Sequence, residues 1–225
     1  MIVAALYVQV SGIYTTLADV ECWGLPERDA RQYAGPHPVV AHPPCARWGR
    51  YWSGGPSYAG RYQLGADDGC FRAALASVHA WGGVLEHPAD SYAWDAFDLP
   101  TPPKDGGWVR GLAGGWACCV EQGHYGHRAQ KRTWLYAVGT ALPDLVWGPS
   151  AARAHVGGMS KARRATRHSV PTEFLSRHQR AATPRPFAEL LVSLARSVPR
   201  AAIVSSGAMG APFIAAPAAE RVHPS

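Results

Sequence analysis

Two short apolar runs in this chain end in prolines and in a side chain able to do chemistry. Pro38-Val39-Val40 leads into Ala41-His42-Pro43-Pro44-Cys45, and Gly83-Val84-Leu85 leads into Glu86-His87-Pro88. Aliphatic and β-branched residues in so short a run describe a buried strand, and proline, which has no N–H, stops its ladder. A thiol and a carboxyl are therefore expected at strand ends. In an open α/β sheet that edge is where ligands bind, so Cys45 is a candidate nucleophile and Glu86 its candidate companion.

The elements that must position this pair can be read around it. Ile2 to Val10 is predicted to be a first strand ending at the Ser11-Gly12 turn, Asp19 to Trp23 a second strand, and Glu27 to Tyr33 a short polar helix. From Ala46 to Gly65 the residues Arg47, Trp48, Arg50, Tyr51, Trp52, Arg61 and Tyr62 interleave with Gly and Ser, which predicts a mobile loop. Asp67-Asp68 can cap a helix on which Phe71, Ala74, Leu75, Val78 and Trp81 recur at helical spacing, with Gly82-Gly83 as its stop. Two parallel strands joined by that helix form a βαβ unit, with Cys45 and Glu86 on one sheet edge. Ser91 to Gly115, rich in Pro, Gly and Trp, reads as surface chain. Trp116 to Gln122 and Thr133 to Val138 read as strands around a polar turn. Phe187, Leu190, Leu191 and Leu194 give a last helix one apolar face. Residues 199–225, mostly Ala, Pro, Gly and Ser, are predicted to be a disordered tail, which leaves residues 1–198 as one α/β domain.

The chain has 225 residues, 47% of them hydrophobic, which suits a substantial core and excludes disorder throughout. Its five cysteines match no disulfide framework, so reduced thiols are expected. No apolar run reaches the length of a membrane span, and the N-terminal residues lack a basic flank and cleavage region; a cytoplasmic location with no membrane partner is the expectation. Of the net charge of +6, residues 151–200 contribute +8, from ten Lys or Arg against Glu173 and Glu189. A basic block of that kind favours a polyanion, most simply nucleic acid.

The order of these pieces resembles the cytosine-5 DNA methyltransferases. In that family one strand ends in Pro-Pro-Cys, which carries the nucleophile, and the next ends in Glu-Asn-Val, which carries a glutamate that holds the target base. Pro43-Pro44-Cys45 and Glu86-His87-Pro88 are the counterparts here. Tyr125-Gly126 and Gln130-Lys131-Arg132 before Trp134-Leu135-Tyr136-Ala137-Val138 are similar to the family's Tyr-Gly, Gln-x-Arg-x-Arg and hydrophobic-strand segment. Ala182 to Leu191 is similar to its closing Gly-Asn-x-Val-Pro segment and helix. The resemblance spans about residues 1–197 and departs from the family at five places. The Phe-x-Gly-x-Gly turn is reduced to Tyr7 through Gly12, the interval from the acidic residue, Glu21 or Asp19, to Pro43 is shorter than usual, His87 replaces the asparagine, the second arginine of the Gln-x-Arg-x-Arg segment falls on Trp134, and too few residues lie between Val138 and Thr183 for a target-recognition domain.

The resemblance implies a Rossmann-like, S-adenosylmethionine-dependent fold with an open, mostly parallel sheet and flanking helices. It further implies that Cys45 adds to carbon 6 of cytosine, so that carbon 5 can attack a methyl group, while a protonated or proton-sharing Glu86 stabilises the ring. Ser11, Gly12, Glu21 and Pro43 are the implied cofactor contacts. Arg47, Trp48, Lys131 and Arg132 are the implied contacts to DNA, whose target base is flipped out or single-stranded. Sequence reading would then be minimal or supplied by a separate partner. Two alternatives stand beside this reading. One is a degenerate protein of the same fold that binds nucleic acid without catalysis. The other is a zinc protein using Cys118, Cys119, His124 and His127, with His42, Cys45 and His87 nearby.

Overall fold

The computed structural model describes residues 1–9, 11–54, 60–154 and 175–199. Among them, one sheet holds the strands β1 (Val3–Leu6), β2 (Val20–Trp23), β3 (Val39–Ala41), β4 (Gly83–Pro88), β5 (Val109–Arg110), β6 (Trp116–Glu121) and β7 (Arg132–Val138), in the order β2-β1-β3-β4-β7-β6-β5. The helices are α1 (Cys70–Trp81), α2 (Tyr92–Ala96), α3 (Arg177–Ala181) and α4 (Arg185–Arg196). Short 3-10 turns lie at Ile13–Thr16, Ala30–Gln32 and Gln122–Tyr125.

The α/β class with flanking helices is as expected, but the sheet is mixed rather than mostly parallel. β1 pairs in parallel with β2 and β3, and β3 with β4, whereas β4–β7, β7–β6 and β6–β5 are antiparallel. The reason is local. Residues 122–131 between β6 and β7 are too few for a crossover, so the two strands close as a hairpin.

Alternation along the strands splits the core into two layers. Ala4, Leu6, Val39, Ala41 and Leu85 face Phe71, Ala74, Leu75 and Val78 of α1. Val3, Ala5, Val40, Val84 and Leu135 face Phe187, Leu191, Val192 and Leu194 of α4. Asp67 starts α1 by accepting from the amides of Gly69 at 3.0 Å and Phe71 at 2.9 Å, two donors the helix itself leaves unpaired. Gly83 opens β4 at φ 120°, and a Cβ there would stand 2.0 Å from the Val39 carbonyl oxygen. Only glycine lets β4 start so close to β3.

Three expectations change. The first strand stops at Leu6, because Tyr7 takes φ 61°, and only Ala30–Gln32 of the polar helix forms, as a 3-10 turn. The stretch after Ser91 is not simply surface chain: the Ser91 hydroxyl accepts from the Ala93 amide at 3.2 Å, and Trp94 on the helix so started is fully buried. The segment after Cys45 is packed at Trp48, which is 6% exposed between Phe71 and Phe97. The expected tail from Arg200 onward, and Lys161, Arg163, Arg164 and Arg167 of the basic block, lie outside the described residues. Among the described residues no helix is long and apolar enough to cross a membrane.

Candidate active site

β2 and β3 lie on opposite sides of β1, so the strand order reverses at the carboxyl ends of β1 and β3. Such a reversal is where ligands bind in open α/β sheets. The register Val40↔Val84 and Ala41↔Leu85 carries on past β3, which brings His42 level with Glu86 on the α4 side of the sheet. His42 Nδ1 meets Glu86 Oε2 at 2.8 Å, and the Tyr14 hydroxyl meets His42 Nε2 at 2.6 Å. On the other side, Gln122 Nε2 donates to Glu86 Oε1 at 3.2 Å and to Thr133 Oγ1 at 2.9 Å. Side chains from five separate segments thus form one polar chain with Glu86 at its centre.

The electrostatics give each member a state. Burial pushes the Glu86 carboxyl up, but the hydrogen bond and charge of His42, helped by Lys131 and His87, outweigh it, and the net direction is down. Burial, then the Glu86 and Cys22 charges, push the Tyr14 phenol well up, so it keeps its proton. An ionised carboxylate only accepts, which assigns a proton to His42 Nδ1. Glu86 is thus a carboxylate sharing a proton with His42, rather than an isolated protonated acid.

Cys45 is exposed at the rim, three residues beyond His42. Partial burial pushes its thiol up, the Glu86 charge adds to this, and Lys131 pulls it back. The thiol is therefore protonated at rest. Alkylation by iodoacetamide should report these signs directly: at pH 8, modification of Cys45 is expected to be slower than for an ordinary cysteine, slower still in Lys131→Met, and faster in Glu86→Gln. Peptide mapping after timed alkylation checks the order of the three rates.

His87, one residue on, points to the opposite face. It is 1% exposed, packed edge-on against Phe71 and stacked on Trp94, with the Pro44 backbone the one polar group that favours its charged form by hydrogen bonding. Burial, opposed by the Glu86 charge, lowers it to about 4. Between the ordinary histidine value and pH 4 the unfolded chain binds a proton the folded one refuses, so stability falls with falling pH, by about 3 kcal/mol at the end of that window. Urea denaturation at pH 7 and pH 4.5 should show a loss in the wild type that His87→Phe reduces.

The remaining expected contacts divide. Ser11 is exposed; the Gly12 amide donates to the Gln9 carbonyl at 2.9 Å, which closes the turn after β1; and Pro43 is buried. Glu21 sits within β2 and is ion-paired with Arg28. Arg47 stacks on Tyr62, 3.4 Å from its ring centroid, and donates to the Trp52 carbonyl. Trp48 cannot stack on a base as expected, because its ring is in the core and its Nε1 donates to Asp67 at 2.8 Å. Lys131 faces the site and reaches the Ala182 carbonyl at 3.5 Å, while Arg132 is 3.7 Å from Asp90 on the surface.

The zinc alternative fails on geometry. Cys118 is buried, His124 bonds the Gly148 carbonyl, His127 bonds that of Ala129, and His42 and His87 lie on opposite faces. Among the described residues no three His, Cys, Asp or Glu side chains converge to hold a metal ion.

Sequence reasoning missed Tyr14, Gln122 and the pairing of His42 with Glu86. Spacing from the prolines would have matched His42, one residue before Pro43, with His87, one residue before Pro88; the observed register, Ala41↔Leu85, instead brings His42 level with Glu86. Nothing local marks Tyr14. No protein-family model matches the chain, and no curated protein or solved structure matches it.

Proposed function

We propose that this chain is a base-modifying transferase of the cytosine-5 methyltransferase type, with Cys45 as nucleophile and Glu86 as the carboxyl that holds the ring. The observation that carries this reading is the placement of both residues beyond Ala41↔Leu85, the last parallel pair of β3 and β4, beside the strand-order reversal, with Cys45 within reach of the Glu86 charge and both within reach of Lys131. The order β2-β1-β3-β4, with antiparallel β7 and β6 beyond it, supports a Rossmann-like methyltransferase plan.

The chemistry uses these groups in sequence. Cys45 loses its proton to solvent at the exposed rim, and the thiolate adds to carbon 6 of the base. Electron density moves toward ring nitrogen 3, where the Glu86–His42 pair offers a proton, and carbon 5 becomes nucleophilic. S-adenosylmethionine supplies the electrophilic methyl group when bound. Tyr7 Oη and Trp23 Nε1, both buried without a partner at the ends of β1 and β2, are polar atoms that would hold it, with the Ser11-Gly12 turn and Pro43 alongside. Glu21 is committed to Arg28 and is not part of that set. A base reaches Cys45 only from a single strand or by flipping from a duplex, at roughly a few kcal/mol. Lys131, whose charge reaches Cys45 and Glu86, and Arg47, two residues beyond Cys45, are the cations offered to its phosphates, and the substrate class is DNA.

The test is calorimetry with S-adenosylmethionine, followed by transfer of its labelled methyl group to cytosine-containing oligonucleotides, single-stranded and duplex. Binding and transfer are expected. Absence of both overturns the reading. Methyl-donor-independent, salt-sensitive DNA binding that survives Cys45→Ser would favour the binding-only alternative, to which the raised thiol of Cys45 lends support.

A further inference from the structure

The proposed reaction, on which any role for His42 rests, needs a proton at ring nitrogen 3, yet Glu86 accepts hydrogen bonds at both oxygens. We infer that His42, clamped by Tyr14, is the positioning residue that supplies Glu86 with the proton it passes to the base. The geometry points to this in three ways. His42 touches the carboxylate with one ring nitrogen and a hydroxyl with the other, so it is fixed at both ends. The Tyr14 hydroxyl accepts from Nε2–H when the ring is charged and donates to Nε2 when it is neutral, so either state is satisfied. Gln122 fixes the second carboxylate oxygen, Oε1, which holds Glu86 in one orientation while Oε2 takes the proton from His42 and passes it on.

The step balances without a further reagent. As the Cys45 sulfur shares its electron pair with carbon 6, the ring π electrons shift to nitrogen 3. The His42 Nδ1 proton passes to Glu86 Oε2, and nitrogen 3 takes that same proton from the carboxyl so formed. At the end His42 is neutral, Glu86 is again a carboxylate, and nitrogen 3 carries N–H. The titratable groups around His42 are Glu86 on β4, Tyr14 after β1, Lys131 before β7, Cys45 beyond β3, and His87 on the opposite face.

The test is single-turnover methyl transfer by the full chain across pH 5.5 to about 9, for wild type, His42→Gln and Tyr14→Phe. The wild-type rate should fall on the alkaline side, where the Glu86–His42 pair has no proton left to give. His42→Gln should lower the rate by roughly 10²- to 10⁴-fold and remove that limb, while KM for the oligonucleotide stays near the wild-type value. Tyr14→Phe, which frees one end of the ring, should lower the rate by a smaller factor than His42→Gln. A wild-type rate and profile in His42→Gln overturns the inference while leaving the proposed function intact; a wild type that transfers no methyl group overturns both. Nitrogen NMR of the His42 ring in the wild type and Glu86→Gln provides a reading that does not need the histidine variant to fold. Identical Nδ1 resonances in the two proteins, which would mean no proton shared with Glu86, also overturn the inference.

Discussion

Replacing Cys45 by alanine is expected to reduce methyl transfer by roughly 10⁴-fold or more, because no other group can form the bond that makes carbon 5 nucleophilic. The thiol is exposed at the rim and belongs to neither core layer, so the same change should move stability by only about 0.5 kcal/mol either way. This contrast makes the variant informative. A large activity loss at unchanged stability assigns the effect to chemistry, and urea denaturation run beside the labelled-methyl assay checks both halves. Cys45→Ser should behave alike, since an alcohol at this place has no strong base to activate it: His42 is already held between Glu86 and Tyr14.

Glu86→Gln should have the next largest effect, about 10²- to 10³-fold on kcat, with little change in KM. The amide keeps the size of the side chain but cannot carry a proton from His42 to the ring. Stability should also change, with a definite sign. Because the folded protein holds Glu86 below the ordinary carboxylate range, the group contributes stability that is present above that range and lost as pH falls through the folded value. Glu86→Gln removes this contribution at neutral pH, so wild type and variant should converge in urea titrations at acid pH. Glu86→Ala is the poorer probe, since it strips buried donors on His42 and Gln122 of their acceptor at about 1–3 kcal/mol each.

The parts legible in the sequence are those where local chemistry decides. Pro43 stands two positions beyond the last residue of β3, and Phe71 through Trp81 form a helix because their spacing gives it one apolar face; β4, by contrast, runs on through Glu86 to Pro88 by pairing with β7, so Glu86 lies inside the strand and not where it gives way to a loop. β3 and β4 come out adjacent and parallel, with Cys45 and Glu86 beyond their last parallel pair. What was not legible depends on distant partners. Trp48 stands among Arg, Tyr and Gly residues that read as an exposed loop, but Asp67, nineteen positions on, binds its Nε1 and ties it to the start of α1. Trp94 lies in Pro- and Gly-rich sequence, and its burial is settled by Phe71 and Trp134 from other elements. The state of Glu86 depends on a histidine 44 positions away and on a tyrosine behind that histidine. The mixed sheet was available to a closer reading, since the short polar turn after Glu121 leaves no length for a crossover.

The central claim is a covalent bond between the Cys45 sulfur and a pyrimidine ring, and one measurement addresses it directly. An oligonucleotide carrying 5-fluorocytosine is incubated with the protein and S-adenosylmethionine. Fluorine at carbon 5 cannot leave as a proton does, so the enzyme should remain attached after methyl transfer. Intact-mass spectrometry should show the protein increased by the mass of the oligonucleotide plus one methyl group, and peptide mapping should place the link at Cys45, with no adduct in Cys45→Ala. An adduct at another residue, or methyl transfer to unmodified cytosine with no adduct on the fluorinated strand, would contradict the account.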